Sequence, residues 1–429
     1  MAFRLRAAEL LPLLPAAALP LLVLHRMYQP VHSSIGPFDV YSSDIAVALV
    51  VLAALVAGMR FGWRPLLSPR VLWLFTVLLL AMLLVSCFYR PLMQTTKHVA
   101  SVAKIAEYAL VAPAVVLLLR RRIDFERFLA AFVAVNVAAS IWGVLQFLGV
   151  VNEFFGRRPA QREVSFIGIH DFAVFSGMTL MIGVAGLALG RRGWLVRVAI
   201  ATGIVGTILP ASVFAYAGVV FASLVALLVG YRARTLSRRR VLAVATIVLV
   251  VGGGVYELRG SDVSSFLSFL GKASVTKSEE ENIQTGAQHV LLAYIGVKIW
   301  QAHPVLGVGF DRSTTEYGPY LPAARRKFPN QSPSSFPSPK HPWGVQNLWV
   351  QSLADTGVVG AALTVATFAA ALVLALRAMG TTPYLGLVLT CWTLVAVATW
   401  NAVGNTAGVP ISALTWLTFG LAACAASAA

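Results

Sequence analysis

Cations able to hold a phosphate gather in the few polar segments of an otherwise apolar chain. Arg157, Arg158 and Arg162 lie between about 150 and 171, and Arg90 and Lys97 stand at neighbouring loop ends. A guanidinium grips phosphate oxygens through a planar fork, and a cation beside a departing phosphate stabilises the charge that develops there. Imidazoles supply the complementary chemistry, because a neutral ring near pH 7 accepts a hydroxyl proton. His341 sits in a Pro- and Ser-rich passage, Phe328 to Pro342, shortly before Gln346 and Asn347, where a helix is predicted to start. His289 lies on another predicted helix, Ala287 to Ala302, and His170-Asp171 pairs an imidazole with a carboxylate at the start of an apolar run. Each feature also has a plainer reading. Cations beside a membrane anchor to lipid phosphates, a loop or surface-helix histidine is commonly a bystander, and the run Arg325, Arg326 and Lys327 reads as a solvated face.

The elements that must position these residues are membrane helices. Apolar residues make up 58% of the 429 residues and charged ones 12%, and the mean hydropathy is +0.78, far from a soluble domain. Apolar runs long enough to cross a hydrocarbon core recur near 9–26, 44–59, 71–88, 98–119, 128–149, 172–189, 194–209, 211–230, 241–256, 356–376, 383–400 and 409–426. The fold class expected is an all-α membrane protein of about twelve transmembrane helices, one polytopic domain over 1–429. A large external loop with short helices, 257–355, separates spans nine and ten. The net charge of +17 follows the span ends and does not mark a nucleic-acid surface. Arg60, Arg64, Arg70, Arg120 to Arg122, Arg191, Arg192 and the run from Arg232 to Arg240 share one side, which the positive-inside rule makes cytoplasmic, together with both termini. The first span stays apolar beyond Ala16 to Ala18, as an uncleaved anchor would.

Other features narrow the chemistry. No P-loop and no large cytoplasmic segment is present, so nucleotide-driven transport is not expected and energy must come from a substrate or a gradient. An activated lipid-linked substrate fits, since its anionic head group would meet the external loops. Cys87, Cys391 and Cys424 fall within spans without metal-ligand spacing and read as packing residues; no metal or other cofactor is expected. Lys97, Ser101, Lys104 and Tyr108 form one helical stripe leading into the membrane, either a wall for a carrier lipid or the backdrop to a Lys104–Glu107 pair at i, i+3.

Three stretches resemble a known family. K-I-W-Q-A-H-P-V-L-G-V-G-F from Lys298 to Phe310, Q-N-L-W-V-Q-S-L-A-D-T-G-V-V-G from Gln346 to Gly360, and S-F-I-G-I-H-D-F-A-V-F-S-G from Ser165 to Gly177 look like the O-antigen ligase and O-antigen polymerase superfamily. The resemblance implies a metal-independent glycosyltransferase of a bacterial plasma (inner) membrane. Its donor would be an undecaprenyl-pyrophosphate-linked glycan and its acceptor a hydroxyl of a lipid or glycan. Such a transfer needs cations to hold the pyrophosphate, for which Arg157, Arg158, Arg162, Arg90 and Lys97 are the candidates, and a base near the acceptor hydroxyl, for which His341 is the candidate. Lys104, His170, His289, Gln346 and Asn347 would contact substrate.

The chain departs from the family in three places. The family's imidazole beside Asn or Ser corresponds here to Gln346-Asn347, and its arginines in two helices correspond to Gln288-His289 and Ser212-Val213. A polymerase fits as well as a ligase. A metal-dependent polyprenol-phosphate-sugar transferase using Asp39 or Asp44, and a glycolipid carrier without chemistry, stand as alternatives.

Overall fold

The computed structural model describes residues 10–36, 38–89, 95–154, 156, 159–269, 285–329, 331–340, 343–404 and 410–427. Arg90, Arg157, Arg158 and His341 lie outside the described residues. Helices dominate: α1 (Leu14–Leu22), α2 (Ser42–Phe61), α3 (Arg70–Ser86), α4 (Thr95–Ala109), α5 (Val111–Leu118), α6 (Arg122–Phe147), α7 (Ile169–Ala188), α8 (Trp194–Ile208), α9 (Val213–Arg232) and α10 (Arg238–Phe269). After these come α11 (Thr285–Ala302), α12 (Leu321–Lys327), α13 (Leu348–Ala378), α14 (Pro383–Thr399) and α15 (Pro410–Ser427). Eight helices are long and apolar enough to cross a membrane, counting Thr95–Leu118 as one, and four shorter apolar helices accompany them among the described residues. A hairpin of β1 (His32–Ile35) and β2 (Phe38–Tyr41), which the apolar pattern did not predict, leads into α2.

Local chemistry sets the helix starts. Asp44 accepts the Tyr41 N–H at 2.7 Å, Asp124 accepts the Arg121 N–H at 3.0 Å, and Asn347 accepts the Val350 N–H at 3.0 Å, each relieving a backbone donor that a helix leaves unpaired at its N-terminus. Pro383 and Pro410 open α14 and α15, where no intrahelical N–H is required.

Helices α7 and α15 are buried along nearly their whole length and form the axis of the bundle; α10 sits at the periphery. Around that axis α7 packs on α8, α9 and α14, while α13 packs on α3, α14 and α15. Phe132 lies 4.3 Å from Phe175 and 4.4 Å from Trp392 between ring centroids, and the Trp392 indole donates to the Met178 carbonyl at 2.7 Å. Several buried hydroxyls are satisfied within their own helices. Thr179, Thr207, Thr390, Thr393 and Thr418 each donate to the carbonyl four residues earlier, turning a methyl outward. Cys87, Cys391 and Cys424 are buried as packing residues.

The arginine-rich turns meet at one end of the bundle. Arg120 donates to the carbonyls of Phe61 and Gly62, at 2.9 Å each, and Thr235 donates to Ala188 at 2.7 Å. At the opposite end lie the hairpin, the loop before α7, the α8–α9 turn, the outer part of α10 and the polar region from α11 to α13. Helix α10 continues past the predicted span end at 256, bending at Arg259 (φ −132°, ψ 17°). A second small apolar cluster around Leu291, Leu292, Ile295, Ile299 and Phe328 supports that region.

Candidate functional site

The H-P-V-L-G-V-G-F and Q-S-L-A-D-T-G stretches form one structural unit. Gly357 (φ +64°, ψ −165°) interrupts α13, which leaves carbonyls before the break and N–H groups after it without helical partners. The turn after α11 supplies those partners. Val308 N–H donates to Ala354 at 3.0 Å and Gly309 N–H to Asp355 at 2.7 Å, while Val358 N–H donates to Pro304 at 2.9 Å. A side chain at Gly307 would strike the backbone at Asp355, and one at Gly357 would strike the Val305 carbonyl, so the clasp closes only with glycine at both positions. The Asp355 carboxylate then locks the following loop, accepting from Asp311 N–H (3.0 Å), Ser313 N–H (2.9 Å) and the Gln351 amide (3.0 Å). Asp311 faces this carboxylate, and burial followed by that like charge pushes its own carboxyl up to about 7. Arg312, fully buried, donates to the Cys87 carbonyl at 3.0 Å and ties the clasp to α3.

Beside the clasp, the α8–α9 turn collects cations. Ala211 takes a left-handed backbone (φ +46°), which turns the carbonyls of Pro210 and Ala211 outward. Arg162 donates through Nε to Pro210 at 2.8 Å, and Arg259, 8% exposed at the bend of α10, reaches Ala211 through Nη1 at 3.4 Å. Ser212, next in the turn, lies 3.5 Å from Nδ1 of His170.

His289 faces the same two guanidiniums from α11. Its ring stands edge-on to Phe214, 6.0 Å between centroids, and its Nδ1 is 3.2 Å from the Gln346 carbonyl oxygen. A carbonyl only accepts, so Nδ1 carries the proton and Nε2 the lone pair. Burial lowers this imidazole to about 4; the Gln346 carbonyl opposes that, and the charges of Arg259 and Arg162 add to it. The ring is therefore neutral near pH 7 and half-buried, not a surface-helix residue.

Asn347, adjacent to Gln346, caps α13 and also donates through Nδ2 to Oδ1 of Asn401 at 3.2 Å. Below it the bundle holds an apolar recess lined by Leu79, Leu83, Ile105, Leu348, Phe368 and Trp416. Asp171 accepts the Ile411 N–H at 2.7 Å and so pins the start of α15. The structure thus brings Arg162, His170, His289, Gln346 and Asn347 to one end of the bundle.

Lys97 is exposed at the start of α4. Lys104 bonds to Asp44 at 2.5 Å and to Glu107 at 3.3 Å, and Tyr108 donates to Ser43 at 3.0 Å, so these two members of the stripe are engaged with α2. Asp39 is exposed and bonded to Ser34 at 2.6 Å. Among the described residues, no group of three or more His, Cys, Asp or Glu is placed to hold a metal ion.

Arg259 is the residue that reading the sequence passed over. The signal was present: an arginine near the end of an apolar helix, on the side where the positive-inside rule disfavours it. No curated protein matches the chain. A family model described as O-Antigen ligase matches residues 198–365, a stretch that holds Arg259, His289 and both halves of the clasp. Over residues 198–365 the chain is therefore similar to the O-antigen ligase family.

Proposed function

We propose that the chain transfers a glycan from an undecaprenyl-pyrophosphate carrier to a hydroxyl of a lipid or glycan acceptor, in the manner of an O-antigen ligase. The observation that carries this reading is the convergence of Arg162 and Arg259 on the Pro210–Ala211 turn, beside a neutral imidazole and at the end of the bundle opposite the arginine-rich turns. By the positive-inside rule that end faces outward from a bacterial plasma membrane, with both termini cytoplasmic. A lipid-linked diphosphate arriving there presents its anionic oxygens to two guanidiniums, which stabilise the leaving pyrophosphate. Arg90, Lys97, Arg157 and Arg158 would add to the positive field over the donor. The apolar recess beneath Asn347 would meet apolar chain of a lipid-linked substrate, while Gln346, Asn347 and His170 would offer hydrogen bonds to sugar hydroxyls. Lys104, held by two carboxylates, would line the approach without meeting the phosphate directly.

The acceptor oxygen would attack the anomeric carbon in line with the departing pyrophosphate, giving inversion without a metal. Two imidazoles are candidates for the proton: His341 in the Pro-rich passage and His289 on α11. The polymerase alternative uses the same chemistry with a glycan acceptor. In the metal-dependent alternative Asp39 or Asp44 would act; the Asp44 carboxylate is committed to Lys104 and to the start of α2, while Asp39 is exposed in the hairpin. A carrier without chemistry would have no need of a base.

The test is transfer by purified protein from an undecaprenyl-pyrophosphate glycan in EDTA, with product stereochemistry read by NMR. Chelator-resistant, inverting transfer is expected. Retention of configuration overturns the single-displacement mechanism, and binding without transfer favours the carrier.

A further inference from the structure

Gln346 occupies the position where the resemblance places an imidazole, and the structure sets a different imidazole against that residue's main chain. His289 comes from α11 and is fixed on two sides: Nδ1 at 3.2 Å from the Gln346 carbonyl and the ring edge against Phe214. With Nδ1 used as donor, the lone pair on Nε2 is the basic position of the ring. The charged groups acting on it come from two other elements, Arg259 on α10 and Arg162 in the loop before α7. From α13's lead-in comes the Gln346 carbonyl and from α9 the uncharged Phe214 ring; the other imidazole of the site, His170, is bonded to Ser212. The guanidiniums that disfavour a proton on His289 are the same two that the proposed function assigns to the donor's pyrophosphate.

Resting on that proposed function, we infer that His289 takes the proton of the acceptor hydroxyl, and that a diphosphate held by Arg162 and Arg259 arms it. Burial is the main cause that lowers the ring and the two guanidiniums add to it; an anion seated on them offsets their share, so the imidazole becomes a stronger base when donor is bound. In the step itself the acceptor oxygen forms a bond to the anomeric carbon as its proton passes to Nε2. The bond from that carbon to the pyrophosphate oxygen breaks, and the electron pair leaves with the pyrophosphate, where Arg162 and Arg259 meet it.

Purified full-length protein in nanodiscs, assayed with an undecaprenyl-pyrophosphate glycan and a hydroxyl acceptor, separates the possibilities. His289→Gln keeps an amide donor for the Gln346 carbonyl and is expected to lower kcat by about a hundred- to ten-thousand-fold, with the donor KM little changed. Imidazole added to His289→Ala restores part of the rate, which a purely structural role does not allow. In the wild type the acid limb of kcat, reporting the donor complex, lies roughly one pH unit above that of kcat/KM for the donor, reporting free enzyme. Full activity in His289→Gln, or coincident acid limbs, overturns the inference, as does loss in His341→Ala with His289→Gln intact. A wild type that binds donor and transfers nothing refutes the proposed function instead.

Discussion

At the arginine-rich end of the bundle, guanidiniums close the structure. Arg120 uses three nitrogens on the carbonyls of Leu117, Phe61 and Gly62, and Arg121 and Arg122 reach the carboxylates of Asp124 and Glu126. At the opposite end Arg162 and Arg259 also contact main-chain carbonyls, but both do so on a single left-handed turn and both act on the same imidazole. Residue type therefore says little about role. In the first case neighbouring cations on one turn are each fastened to acceptors of their own. In the second, two cations from elements far apart in sequence share one small volume, an arrangement that an anionic ligand would stabilise.

Removing both site arginines gives the largest effect. Arg162→Ala with Arg259→Ala is expected to lower kcat/KM for the donor about a hundred- to ten-thousand-fold, since each charged hydrogen bond to phosphate contributes on the order of 1.5–3 kcal/mol. Arg120→Ala at the other end should lower the unfolding temperature and leave donor KM as it is. Equal losses of transfer from both ends would erase the distinction. Next comes the clasp: Asp355→Ala strips the acceptor from three donors and should cost about 3–5 kcal/mol, read as a fall in thermal stability. Transfer should survive in the fraction still folded, because the clasp supports the site without contacting substrate.

A smaller effect follows from pH. Asp311 rises from 3.8 to about 7, so its protonated form is favoured in the folded state. The stability it contributes is present below the unfolded value and is lost as pH climbs towards 7. Wild-type melting temperature should fall between pH 5 and 8, and Asp311→Asn should flatten that slope; an unchanged slope would remove Asp311 from the account. Smallest of all is Arg122→Gln, whose exposed pair with Glu126 is worth less than about 1 kcal/mol and should not register in melting or in transfer.

Much of the fold was legible because the bilayer demands long apolar runs and places arginines at their ends. The predicted helix Ala287 to Ala302 lies within α11, and the turn at His303 to Phe310 is present. The end of α10 was not legible, since hydropathy falls at Tyr256 while the hydrogen-bonded helix continues to Phe269. For the same reason Arg259 escaped notice. Lys104 was expected to pair with Glu107, three residues along its own helix, or to help wall a groove for a carrier lipid; Asp44, distant in sequence, is its nearer partner. The H-P-V-L-G-V-G-F motif carried part of the family resemblance, and its glycines let the turn pair with a broken helix.

By itself, then, the sequence determined that the chain is a bundle of apolar helices with cations sorted by end, and its motifs pointed to glycan transfer. Those properties depend on local composition and on short-range order, which a linear chain displays directly. Which cations meet was decided only by tertiary structure. Arg162, Arg259 and His289 come from three segments, and the turn at Ala211 and the Gln346 carbonyl bring them together. Their basicity and their partners depend on burial and on distance across the fold, and neither quantity exists until the helices have packed.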